Sequence, residues 1–157
     1  MFKRVSLIVF VFALAGAPLW AQQDPQIGTW KLNLAKSKYS PGPPPKSPTI
    51  LKREASGPNG MKTTTDGVDA QGNKTHTEST VKFDGKDYPV TGSANYDTTA
   101  ATRIDSNTTI TVDKKGGTVV RMIYRAVAKD GKSYTAIQFG AYGNDPPFHN
   151  VVVYDKQ

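Results

Sequence analysis

From Thr49 onward the chain is a succession of short runs rich in threonine, β-branched and aromatic residues, each ended by glycine, asparagine or aspartate. None has the 3.6-residue apolar spacing of a helix, and threonine so heavily used favours strands. The turn signals are Gly57-Pro58-Asn59-Gly60, Gly72-Asn73, Asp84-Gly85, Gly116-Gly117 and Asp130-Gly131. Asp-Gly is among the strongest short hairpin signals, because the glycine takes the positive φ that a tight turn needs. Together with the alternating run 28–34, which places Trp30, Leu32 and Leu34 on one face, the pattern predicts ten strands. They cover 28–34, 49–55, 61–68, 74–83, 86–91, 98–104, 108–113, 118–128, 133–141 and 149–155. The chain is therefore expected to be all-β.

Nearly every connection in this series is of hairpin length. Consecutive hairpins favour an antiparallel up-and-down barrel of about 8–10 strands over a sandwich, which needs longer crossings. Two connections stand apart. The segment 92–97 is one. The other is a proline-rich loop at 37–48, where Pro41, Pro43, Pro44, Pro45 and Pro48 oppose both a helix and a central strand.

Ahead of the strands lies a different composition. Lys3 and Arg4 precede an apolar run from Val5 to Ala17, and Pro18-Leu19-Trp20-Ala21 leads into polar Gln22-Gln23-Asp24. A positive start, a short apolar core and a small residue before a polar stretch are the parts of a secretory signal. The expectation is a signal peptide over 1–21, cleaved after Ala21, and a single domain over 22–157. The apolar run falls short of the ~20 residues that span a bilayer, so no stable membrane span is expected. The protein is then exported, to the periplasm or the extracellular space.

The chain has no cysteine, which excludes disulfides and thiolate chemistry. Its net charge of +7 includes Lys3 and Arg4 of the leader. The remaining basic residues are scattered rather than clustered among aromatics, so no nucleic-acid partner is expected. Histidine occurs only at His76 and His149. Neither has partners at the spacing of a zinc site or a catalytic triad, so no metal, no cofactor and no enzymatic activity are expected. His76 shares a strand face with Glu78 and Lys82, as a solvated outer face would.

The opening Gly28-Thr29-Trp30-Lys31-Leu32 resembles the first strand of the calycin group, which includes lipocalins and intracellular fatty-acid-binding proteins. The closing Val152-Val153-Tyr154-Asp155-Lys156 resembles the last strand of the fatty-acid-binding proteins. The chain also looks like small secreted lipocalin-like bacterial proteins of uncharacterised function. The resemblance implies a lipocalin-like barrel with Gly28 and Trp30 at one closed end. It implies further that Tyr154 matches the tyrosine of that family's carboxylate clamp, while Val152 stands where its arginine would be. The helical lid of that family is replaced by the proline loop.

The run 118–128 offers two faces, Val120, Met122, Tyr124, Ala126 and Ala128 against Val119, Arg121, Ile123, Arg125 and Val127. Because unpaired buried cations are costly, the uninterrupted apolar face is expected inward and the arginines outward. The reverse arrangement would put arginines in the lumen to meet an anion. On the preferred reading the ligand-binding residues are Met122, Tyr124, Tyr134, Gln138, Val152 and Tyr154. The expected function is non-enzymatic binding of a small apolar or amphipathic ligand, neutral in preference to a free carboxylate. The alternative is a structural or interaction module, its barrel filled by side chains, acting through its surface or proline loop. The sequence carries no signal for an oligomeric state.

Overall fold

The computed structural model describes residues 24–157, so the expected leader over 1–21 lies outside the described residues. Ten antiparallel strands form the body: β1 (Gly28–Lys38), β2 (Ser47–Ala55), β3 (Gly60–Val68), β4 (Lys74–Lys82), β5 (Asp84–Thr91), β6 (Thr98–Arg103), β7 (Thr108–Lys115), β8 (Thr118–Val127), β9 (Ser133–Gly140) and β10 (Phe148–Lys156). Each pairs with its neighbours in sequence, and β10 pairs with β1 to close the barrel. Closure leaves no open sheet edge, which suits a chain with few large apolar residues and no disulfide. This is the up-and-down barrel expected from the hairpin-length connections, with every predicted strand present. The proline loop is shorter than expected, because β1 runs on to Lys38 and β2 begins at Ser47. Among the described residues no helix is long and apolar enough to cross a membrane.

One end of the barrel is filled. Trp30 is fully buried and meets Tyr134 edge-to-face at 4.9 Å, and Tyr134 stacks on Tyr154 at 4.7 Å. Leu32, Leu51, Val127, Ala136 and Val152 complete this core, while Met61, Val81 and Ala101 form a second cluster with Ile27 and Phe83. The Gly-x-Trp opening has a local reason. Gly28 adopts φ +135°, and a Cβ there would lie 2.6 Å from the Lys156 side chain, whose ammonium sits 5.0 Å from the centre of the Trp30 ring.

The segment before β1 crosses this closed end. Asp24 pairs with Arg103 on β6, and the Trp30 indole donates to the Gln26 carbonyl at 3.0 Å. The Gln26 side-chain oxygen accepts from Arg53 on β2 at 3.1 Å and from Thr109 on β7 at 3.3 Å. In the strand order β2 and β7 stand on opposite sides of the ring, so one glutamine ties the two walls together.

The outer surface divides in two. Over β3 and β4 it is polar: His76 faces Asp66 across the ladder with 2.7 Å between Nδ1 and the carboxylate, and Lys62 and Thr64 both reach Glu78. His76 thus lies on the solvated outer face, as expected. The Asp66 hydrogen bond holds the His76 imidazolium and raises its pKa above the ordinary 6.5. Because the folded value is raised, this contact favours the fold below the ordinary histidine range and fades as pH rises through the raised value. NMR titration of the His76 ring should show that upward shift, and Asp66→Asn should remove most of it. An unchanged midpoint in Asp66→Asn would contradict the pairing. Over β7 to β10 the outer wall is apolar instead, with Val119, Tyr124 and Phe139 exposed.

Candidate functional site

The barrel encloses a lumen of about 160 Å³ beside the filled end. Its wall on β3, β4, β6 and β7 is a field of short hydroxyls, Thr63, Thr65, Thr77, Ser79, Thr99, Thr109 and Thr111. On β3 and β4 the lining Thr63, Thr65, Thr77 and Ser79 alternate with outward Lys62, Asp66, His76 and Glu78, so on these two strands the small neutral polar residues line the lumen and the charges face out. The opposite wall carries Arg121, Ile123 and Arg125 from β8, Tyr134, Ala136 and Gln138 from β9, and Tyr154 from β10. Arg53 and Gln26 lie toward the closed end, and Tyr96, from the 92–97 connection, reaches the other.

The expected orientation of β8 is therefore reversed. Arg121, Ile123 and Arg125 line the lumen, whereas Met122 and Tyr124 face outward, opposite Phe139 and Ile137 of β9. Tyr124 is exposed. A register shift beside Asp113 turns Val119 out of the arginine face, leaving it exposed as well. The reason for the reversal lies on β7. Asp113 stands directly opposite Arg121 and faces the same way, so the cation that was expected to be unpaired is not. Arg121 Nε and a terminal nitrogen each approach one Asp113 oxygen at 2.6 Å, and the other oxygen accepts from the Thr99 hydroxyl at 2.7 Å. A paired, hydrogen-bonded ion pair tolerates burial that a lone charge does not.

The other expected lumen residues divide. Tyr134, Gln138 and Tyr154 line the cavity. Val152 points inward in the same strand as Tyr154 but is packed into the core at the closed end. Burial pushes the phenols of Tyr134 and Tyr154 up, keeping both protonated as hydrogen-bond donors at neutral pH.

Three functional candidates escaped the sequence reading: Arg53, Gln26 and Asp113. Arg53 is almost entirely buried, and its guanidinium carbon lies 5.3 Å from the centre of the Tyr134 ring. Arg125 is half-buried, lies 5.8 Å from the same ring and donates a long hydrogen bond, 3.5 Å, to the Thr111 hydroxyl. Nε of both arginines and Nε2 of Gln26 are buried without a protein acceptor. Burial, reinforced by the like charge of Arg125, pulls the Arg53 guanidinium down to about 9, still charged at neutral pH. Asp113, engaged by Arg121, is the one carboxylate among the lining residues. Among the described residues neither Arg53 nor Arg125 has a carboxylate at ion-pair distance, and Asp24, whose charge favours the Arg53 cation, is itself paired with Arg103. A lumen of this kind can bind and desolvate an anion. Among the described residues no three histidine, aspartate or glutamate side chains converge in a way that could hold a metal ion.

The architecture is that of a closed, lumen-bearing antiparallel β-barrel. No family model, curated protein or solved structure matches the chain.

Proposed function

We propose that this chain is an exported, calycin-like binding barrel, non-enzymatic and acting in the periplasm or outside the cell, whose lumen takes a small organic anion. The observation that carries this reading is the pair of buried Arg53 and half-buried Arg125, set around one tyrosine ring with no carboxylate paired to either among the described residues. Uncompensated buried cations oppose folding, and proteins keep such groups where function needs them. Tyr134, Tyr154, Gln138 and the hydroxyl wall supply neutral hydrogen bonds around the charge. The volume corresponds to one small ring or a short chain, since an engineered cavity of roughly 150 Å³ holds benzene. That size and polarity argue for a polar anion over the apolar or neutral ligand expected from the sequence.

Calorimetric titration of small carboxylates and phosphate esters into the protein at low ionic strength tests the proposal. The wild type should bind saturably, and Arg53→Met should abolish binding while raising the melting temperature, because it removes a desolvated cation. Absence of saturable anion binding by the wild type would overturn the reading and favour an interaction module, its closed end already filled by Trp30, Leu32, Tyr134 and Tyr154.

A further inference from the structure

The charge balance of the lumen says more about the ligand than its sign. The lining residues include three guanidiniums, Arg53, Arg121 and Arg125, against the single carboxylate of Asp113. Arg121 and Asp113 cancel, with Thr99 holding the second carboxylate oxygen. Arg53, which is buried, and Arg125, which is half-buried with its Nε enclosed, remain around Tyr134. We propose that the ligand is a dianion, a small molecule with two negative charges, one for each of these guanidiniums. This rests on the anion-binding reading above and narrows it.

A monoanion in this space would compensate one guanidinium and leave the second desolvated beside it. In a low-dielectric interior the second charge of a dianion meets an unpaired cation instead of being stranded, so it strengthens binding rather than opposing it. The planar fork of arginine suits a carboxylate or phosphate equally, each accepting two parallel hydrogen bonds. The buried Nε atoms of Arg53 and Arg125, which have no protein acceptor, are donors available for that purpose. The hydroxyls of Thr63, Thr65, Thr77 and Ser79 across the lumen would hold the polar body of the molecule. A lumen of about 160 Å³ excludes long acyl chains and nucleotides. Two sources share the required chemistry: a short dicarboxylate and a phosphate monoester.

Matched pairs differing in charge but little in shape separate the possibilities. Succinate against butyrate tests the dicarboxylate, and methyl phosphate against methyl sulfate at pH 8 tests the ester. In at least one pair the dianion should bind about ten-fold or more tightly than its monoanionic partner, and the pair that shows it names the source. Arg125→Gln should erase that preference while monoanion binding through Arg53 persists. Arg125→Lys, which keeps the charge, should retain it, and thermal melts of both variants establish that they fold. Monoanions binding as tightly as their partners would overturn the dianion inference and leave the anion site standing. Failure of all four ligands to bind the wild type would overturn the anion site, and this inference with it.

Discussion

Trp30→Ala is expected to destabilise the barrel by about 3–5 kcal/mol, the range for truncating a buried aromatic. Trp30 is fully buried at the centre of the closed end, against Tyr134 on one side and the Lys156 side chain on the other. Truncation leaves a cavity that a ring of ten hydrogen-bonded strands cannot collapse around. It also orphans the Gln26 carbonyl, and so loosens the segment whose side chain ties Arg53 to Thr109 across the barrel. In a domain of this size the loss corresponds to a fall in melting temperature of roughly 10–20 °C. Trp30→Phe should fall between the two, keeping much of the apolar burial while losing the indole hydrogen bond. Thermal unfolding followed by circular dichroism checks both. An alanine variant that melts within a few degrees of wild type would show that the plug contributes little.

The second large effect concerns the lumen. Asp113→Ala should cost about 3–5 kcal/mol, because it strips the counter-charge from buried Arg121 and leaves the lumen with three uncompensated guanidiniums. The Thr99 hydroxyl loses its acceptor in the same step. The double variant Asp113→Ala/Arg121→Met should recover most of the loss, since removing both partners removes the stranded charge. Equal instability of the single and double variants would mean that Asp113 acts through Thr99 and packing alone. Asp113→Ala should also tighten the binding of anions to whatever fraction remains folded, as a third cation becomes free.

Much of the scaffold was legible because strands and turns are written locally. The glycine turns marked the hairpins, while the place of Gly28 and Trp30 at the closed end was implied by the resemblance of the opening strand to calycins. The faces were not legible in the same way. In β8 the apolar Met122 and Tyr124 looked like the inward set, and alternation alone would have kept them there. Period-two patterning separates two faces but does not say which is inside, and this lumen is polar while the outer wall over β7 to β10 is apolar. One signal was present: Thr109, Thr111 and Asp113 form a polar face on β7 parallel to Arg121 and Arg125 on β8. Its use required knowing that the two strands are neighbours and which residues stand opposite.

The sequence by itself determined the all-β class, the ten strands and their order around a closed ring. Each follows from short-range rules: residue propensity, turn geometry and pairing between strands joined by a short turn. Only the tertiary structure decided what the lumen holds. Arg53 and Arg125 lie 72 positions apart in the chain, on β2 and β8, and no local pattern links them. They meet because closure of the barrel wraps both strands around Tyr134 of β9, while Asp113 on β7 is drawn to Arg121 and leaves them without an ion-pair partner among the described residues. The electrostatic character of the site is a sum over residues from many strands, and such a sum takes its value only when the ring is closed.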